Sequence, residues 1–373
     1  MAKTILYIVS TLIRTGPVGV LQGIVKHLDP EQYRAIIVTL SPEGNMSCAE
    51  EFKKLNIECV RIQLSRWAAV CGGMRTLEDL ARSYQADIVH GHGFRPDLII
   101  SKAHLKARKV STLHSVLKDD YVDLFGPILG NCMVYSHYRA LRRFDAVACV
   151  STGVKDAADG IGAPCKVILN GVDTQRYHPA SSPRERHVAR EKIGVAKEKS
   201  VLLFAGRLIA RKRPVEMIEG FLRSHKSREA VLVLAGEGPL LDNCQTAAAG
   251  ADNIVFLGAR KDVPELLRGA DYLLSASSSE GLPMALLEGC ASGLRIIASD
   301  ISAHRQIKEM FPEATTLFPI DKKEGLAEAL QAISYTVPPY SFNPNMVHKI
   351  SAQAMSYSYQ ELYGSLCDTS LPR

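Results

Sequence analysis

Short runs rich in Val, Ile and Leu recur through the chain. Each gives way to a helix-length segment whose apolar residues fall every three or four positions. In the first half the runs are Thr4–Ser10, Arg34–Leu40, Cys59–Leu64, Ile88–His90, Val110–His114, Val147–Val150 and Lys166–Leu169. In the second they are Ser200–Ala205, Ala230–Ala235, Ile254–Leu257, Tyr272–Ser275, Arg295–Ala298 and Thr316–Phe318. Runs this apolar suit strands buried on both faces. Strands separated by helices predict right-handed β-α-β units and parallel sheets. The expected fold class is α/β, with two Rossmann-like domains over residues 1–172 and 173–349. A linker is expected in His178-Pro179-Ala180-Ser181-Ser182-Pro183 and the charged stretch to Lys192. Ligands in such sheets bind beyond the carboxyl ends of the strands, so a cleft between facing domains is the expected site. A last helical pattern runs from Ile350 to Tyr363, after Pro338, Pro339 and Pro344.

Composition narrows the class. The chain has 373 residues, 46% of them hydrophobic, enough for two cores. No apolar run reaches the ~18 residues of a membrane-spanning helix. The opening Met-Ala-Lys-Thr-Ile-Leu-Tyr-Ile-Val-Ser reads as a first strand rather than a signal peptide. Nine cysteines, an odd number, are scattered singly without Cys-x-x-Cys, which predicts reduced thiols and a cytoplasmic protein. On that reading the glycosylation pattern Asn45-Met46-Ser47 is coincidence. The net charge of +6 is uneven, with 21 Lys and Arg against 16 Asp and Glu in residues 1–172. Lys102 to Arg143 alone holds eight basic and three acidic residues. That patch attracts an anionic acceptor or the inner membrane surface, or it is a solvated face. The excess is small and carries no recognition motif, so no nucleic-acid partner is expected.

Candidate chemistry concentrates at predicted strand ends. Glu280-Gly-Leu-Pro-Met-Ala-Leu-Leu-Glu288 places two carboxylates a little over two helical turns apart. The turn between them opens a helix whose Met284 and Ala285 N–H groups suit a phosphate. A phosphate flanked by hydroxyl-accepting carboxylates describes a sugar nucleotide; a capped amphipathic helix is the plain alternative. After the strand Ser200–Ala205, Gly206 permits close approach, and Arg207 and Lys212 supply cations suited to a diphosphate. Gly236-Glu237-Gly238-Pro239 shapes the wall at another strand end. Val263 opens a helix with Pro264 in its first turn, where a backbone group can meet a nucleobase. Gly16-Pro17-Val18-Gly19 passes near phosphate without matching a dinucleotide fingerprint or a P-loop. His90, His92 and His114 end successive strands. They read as hydrogen-bonding groups for a polar ligand or, less simply, as a zinc set that no Asp or Glu completes. No Asp-x-Asp occurs, so no metal is expected on a diphosphate, and cations take its place.

These stretches in order resemble the retaining GT-B glycosyltransferases of family 4, over nearly the whole chain. The resemblance rests on Glu280 to Glu288, the Gly16 turn, Asp87-Ile-Val-His-Gly-His92, Thr112-Leu-His114, Asn170-Gly-Val-Asp173, Gly206-Arg-Leu208 with Lys212, Gly236 to Pro239, Phe256-Leu-Gly258 and Ala270-Asp271. It implies metal-independent transfer of a sugar from a nucleotide-sugar donor, UDP-linked, to a glycan or lipid-linked acceptor, without cofactor and with configuration retained. The products would be polysaccharide, lipopolysaccharide or glycolipid. Arg207, Lys212, Gly16 and the Met284 and Ala285 N–H groups would hold the diphosphate, Glu288 the ribose and Val263 the base. Glu280 would hold hexose hydroxyls and His114 would stand beside the reacting sugar, with His90 and His92 on the acceptor side. The helix over 350–373 would cross back to the first domain. Thr15-Gly16-Pro17, Asp300-Ile-Ser-Ala303 and Gln306 depart from the usual pattern, on the acceptor side. A sugar-nucleotide epimerase of the same fold and a non-catalytic nucleotide-sugar binder are the alternatives. A phosphorylase would need a longer chain, and a zinc hydrolase would need the three histidines.

Overall fold

The computed structural model describes residues 2–44, 47–62, 72–195, 199–334 and 343–368. The chain divides into two compact units, Met1–Gly171 with Ala352–Arg373, and Val172–Ser351. In the first, seven strands pair in parallel: β1 (Lys3–Val9), β2 (Tyr33–Thr39), β3 (Glu58–Arg61), β4 (Ile88–His92), β5 (Arg108–Leu113), β6 (Ala146–Cys149) and β7 (Cys165–Val167). Their order is β3-β2-β1-β4-β5-β6-β7. In the second, β8 (Ser200–Ala205), β9 (Ala230–Ala235), β10 (Ile254–Gly258), β11 (Tyr272–Ser275), β12 (Arg295–Ser299) and β13 (Thr315–Phe318) run in the order β10-β9-β8-β11-β12-β13, again parallel. All expected strands are present, within two residues at each end save β3. That strand stops at Arg61, and Gln63 and Leu64 of its expected range lie outside the described residues.

Both sheets reverse their order beside the first strand of the unit, at β1/β4 and β8/β11. Loops leaving the carboxyl ends at such a point diverge and leave room for a ligand. Val9 pairs with His92 and His92 with Thr112, so the ends of β1, β4 and β5 lie level. The central strands are wholly buried from Ile5 to Ile8 and from Val201 to Leu203.

The expected linker is not one. Residues Pro183–Ile193 form a helix of the second unit, capped by Ser182, whose Oγ accepts from Glu185 N at 3.1 Å. Arg186 and Arg190 on it reach Asp271 at 2.6 and 3.4 Å, and a Cβ on Gly269 would lie 3.0 Å from the Ala189 backbone. Charge here ties the helix to the residue just ahead of β11 instead of solvating a tether. Of the prolines ahead of the last helix, Pro338 and Pro339 lie outside the described residues, and Pro344 opens the short helix Pro344–Lys349.

The last helix, Ala352–Asp368, packs on Gly16–Lys26 of the first unit. Gly23 is needed there: a Cβ would come within 2.9 Å of Met355 Cε and 3.3 Å of Ala352 Cβ. Ser356 Oγ donates to Ile24 O at 2.8 Å, and Tyr359 and Tyr363 are fully buried.

Candidate active site

The second unit gathers charge at its strand ends. Past β8 and β9 the backbones almost touch: a Cβ on Gly236 would lie 1.7 Å from Gly206 O, and one on Gly238 2.4 Å from Leu208 O. Only glycine fits either place. The bonds Gly206 N to Ala235 O (3.0 Å) and Leu208 N to Glu237 O (2.9 Å) lock the two loops into a ledge. Arg207 stands exposed on that ledge, and among the described residues no ion pair or hydrogen bond engages its guanidinium. Glu237 Oε1 accepts from Ala259 N at 3.3 Å, which ties in the loop after β10. Beyond it, Arg260 forks onto Asp262 at 2.8 and 2.6 Å, and half-buried Val263 begins the next helix.

The loop after β11 closes against the turn Ala210–Lys212. Ser278 N donates to Arg211 O at 2.8 Å, and Arg211 Nη1 donates to Ser279 O at 3.0 Å. Lys212 bonds Glu280 Oε1, while Arg211 Nη1 stands 3.5 Å from Glu280 Oε2. Burial pushes the Glu280 carboxyl up, but Lys212 and Arg211 outweigh it and hold the group below the usual carboxylate range. Lys212 is therefore not an idle cation: its partner in the free protein is the carboxylate expected to meet the sugar.

Gly281-Leu282-Pro283 then starts the helix Met284–Ala291. Proline at the cap offers no side-chain acceptor. Leu286 and Leu287 N–H groups use Pro283 O, and among the described residues the Met284 and Ala285 N–H groups find none. Glu288 follows one turn on. Burial pushes its carboxyl up to about 7, against a hydrogen bond from Tyr177 and the charge of Arg176. A neutral-range carboxyl at that place was not legible from the Glu280–Glu288 spacing.

His304 is a second element that sequence reasoning missed. It is buried on the helix Ser302–Met310, and its Nδ1–H donates to Ser299 O at 2.8 Å. Burial lowers its pKa to about 4, so the ring is neutral. Ser299 Oγ donates to Ser277 O at 2.5 Å, and Ser277 hydrogen-bonds Glu280. Nothing in the local sequence marks this shell.

The first unit presents neutral chemistry. His90, His92 and His114 stack, with ring centroids 4.4 Å and 5.2 Å apart. His90 is wholly buried and both nitrogens are used: Nδ1 with Tyr363 Oη and Nε2 with Thr112 Oγ1, each at 2.8 Å. Tyr7 extends the chain at 3.1 Å from Tyr363 Oη, and Tyr359 at 2.9 Å from Thr112 Oγ1. His90 is thus a buried hub that fastens the last helix to β4 and β5. His92 Nδ1 and His114 Nε2 share one hydrogen at 2.9 Å, and among the described residues neither His114 Nδ1 nor the buried His92 Nε2 has a partner. Burial lowers the pKa of His90 to about 3, of His114 to about 4 and of His92 well below its ordinary value. Among the described residues no three His, Cys, Asp or Glu side chains converge to hold a metal ion. Gly16 opens the helix after β1, exposed and without a side-chain cap from Thr15.

Two family profiles match the chain. The one described as Glycosyltransferase Family 4 covers residues 16–176, and the one described as Glycosyl transferases group 1 covers 199–334. The chain belongs to this family of glycosyltransferases. Every residue of the cluster around Glu280 falls within the second profile, and Gly16, His90, His92 and His114 fall within the first. Curated glycosyltransferase relatives include the alpha-monoglucosyldiacylglycerol synthase of Streptococcus pneumoniae, 27% identical over 72% of this chain and 64% of that protein. The UDP-Gal:alpha-D-GlcNAc-diphosphoundecaprenol alpha-1,3-galactosyltransferase of Escherichia coli is 32% identical over 37% of each. The chain thus spans less than two thirds of the length of these relatives. Among solved structures, Anabaena Alr3699/HepE in complex with UDP and glucose superposes with a TM-score of 0.80 at 17% identity, over 97% of this chain and 99% of that one. Sucrose-phosphate synthase from Thermosynechococcus elongatus gives 0.79 at 14% identity, over 99% and 100%. Both speak for the fold, which is GT-B.

Proposed function

We propose that the protein transfers a sugar from a UDP-linked donor to a glycan or lipid-linked acceptor of polysaccharide, lipopolysaccharide or glycolipid assembly, with retention and without a metal or cofactor. The observation that carries this is the pairing of Lys212 and Arg211 with Glu280 just ahead of an uncapped helix start, with Arg207 exposed at the end of β8. Lys212 and Arg211 share a single carboxylate in the free protein, and cations near a helix N-terminus oppose its dipole; a bound anion relieves both. The donor diphosphate takes that place, held by Arg207, Lys212 and the Met284 and Ala285 N–H groups. As Lys212 turns to phosphate, Glu280 is released to accept from hexose hydroxyls. Glu288 accepts from the ribose, and Val263 meets the base. In the first unit His114 offers Nδ1 to the sugar, His92 fixes its orientation, and Gly16 passes near the phosphates. Because both histidines are neutral, they bond hydroxyls without repelling the cationic sugar centre that develops as the phosphate leaves. The name of the Anabaena neighbour, which pairs UDP with glucose, agrees with a UDP donor.

The test is thermal stabilisation by a panel of nucleotide sugars, followed by product analysis with the stabilising donor. UDP-sugars raising the melting temperature, with transfer to an added acceptor, is the expected result. Isomerised donor without transfer would favour the epimerase reading, and binding without turnover the non-catalytic one. Absence of stabilisation by any nucleotide sugar would overturn all three.

A further inference from the structure

In the first unit, the helical segment Leu117–Leu141 is two arms. Gly126 breaks it with φ 76° and ψ 171°, a conformation open essentially to glycine alone, and Pro127 begins the second arm. A Cβ on Gly130 would lie 2.6 Å from Tyr121 O. Residues nine apart in a continuous helix are about 13.5 Å apart, so the chain has reversed into a hairpin. A buried latch holds it. Tyr121 Oη bonds His137 Nδ1 at 2.8 Å, and His137 Nε2 and Ser111 Oγ both reach Asp97 Oδ2, at 2.8 and 2.7 Å.

The tip is apolar and in water: Leu124 is 72% exposed, Phe125 48%, Ile128 84% and Leu129 54%. Tyr135, on the second arm, is 67% exposed. Five of the eight large hydrophobic side chains exposed among the described residues lie in these twelve positions. Below them, Tyr135, Tyr138, Arg139 and Arg142 line a shallow cavity of roughly 190 Å³, where Asp159 is the one carboxylate. Arg139 makes no ion pair among the described residues.

We propose that this hairpin docks the protein on an anionic lipid bilayer, the apolar tip entering the interface and Arg139 and Arg142 taking a headgroup phosphate. The proposal deepens the lipid-linked branch of the proposed function and rests on it for purpose, not for its evidence. An exposed apolar cluster of this size marks an interaction surface. The adjoining guanidiniums and tyrosines select a partner with hydrocarbon beneath a layer of negative charge. Asp119, Asp120 and Asp123 lie on the first arm, so the second arm is the one that faces the lipid. The basic excess read from Lys102 to Arg143 thus resolves into a few cations beside an inserting tip.

The test is flotation of the full chain with vesicles of phosphatidylcholine alone and with about one third phosphatidylglycerol, across a salt series. Binding to the anionic vesicles is expected, weaker in salt but not abolished. The combined variant L124S/F125S/I128S/L129S should bind at least about tenfold more weakly at every salt concentration. R139Q/R142Q should lose about tenfold at low salt and little at high salt. Equal binding by wild type and the tip variant, or no binding to anionic vesicles at low salt, would overturn the proposal. So would a self-association in sedimentation that the tip variant removes, because a second copy would then cover the tip. Titration of UDP into the same preparations reports separately on the donor site, so failure of either reading is distinguishable.

Discussion

The two units share one strand order around their central strand, yet the side chains at their strand ends differ in character, ionic in the second and neutral in the first. In the second, Arg211 and Lys212 pair with Glu280, Arg207 is exposed, and the helix start after Glu280 leaves the Met284 and Ala285 N–H groups without acceptors among the described residues. In the first, three stacked imidazoles are kept neutral by burial. A parallel sheet with a switch point supplies a place for a ligand and nothing more. The loops decide whether that place holds an anion or orients hydroxyl groups.

The most damaging change to this division is at Glu280. Glu280→Gln removes the charge that pairs with Lys212 and leaves a neutral amide oxygen in place of the carboxylate proposed to accept from the hexose, and turnover should fall on the order of 100-fold with the fold retained. Turnover within threefold of wild type would show that Glu280 is only a structural partner of Lys212. Lys212→Ala should weaken UDP binding by about 1.5–3 kcal/mol, the scale of a charged hydrogen bond, as read by titration calorimetry. Unchanged affinity would break the assignment of the diphosphate to this cluster.

In the first unit the sharpening contrast is between His90 and His114. His90→Phe breaks a buried chain of four hydrogen bonds and should cost about 2 kcal/mol of stability in denaturant unfolding, with UDP affinity intact. His114→Ala should do the reverse, lowering turnover while the unfolding midpoint barely moves. Reversed outcomes would exchange the roles of hub and site.

The smallest effect concerns pH. The folded-state pKa of Glu288, about 7, lies above its ordinary value of 4.5, so its protonated form is the one folding favours. The stability it contributes is present below about pH 4.5 and is lost as pH rises through 7. Glu288→Gln should therefore raise the melting temperature of the ligand-free protein by a few degrees at pH 8 and leave it unchanged near pH 5. The buried histidines act on the other side: stability is lost as pH falls below 6.5 toward 3–4. A variant that melts like wild type at both pH values would remove Glu288 from the account.

Much of this was readable in the chain. The apolar runs placed the strands because parallel strands buried on both faces leave little freedom of pattern. Gly206, Gly236, Arg207 and Lys212 were readable because strand-end glycines and cations are local signals. The helix Pro183–Ile193 was also there to be read: Ser182-Pro183-Arg184-Glu185 has the spacing of a capping box, but its charge read as a tether. Other features had no local signal. The Lys212–Glu280 pair spans 68 residues, and Tyr177 at Glu288 and His304 behind Ser299 depend on how loops close after folding. His90 and His92 share a strand end in sequence. Only packing shows that the first is consumed by Tyr363 and Thr112 while the second orients His114.

The central claim is that cations and a helix start, with no metal, hold a diphosphate in the second unit. Calorimetric titration of UDP and of uridine into the wild-type protein in EDTA tests it directly, with Arg207→Ala/Lys212→Ala as the control. The account predicts that UDP binds without metal, that uridine binds at least about 100-fold more weakly, and that the double variant erases the difference. Equal affinity for UDP and uridine, or UDP binding that appears only when Mn²⁺ is added, would contradict it.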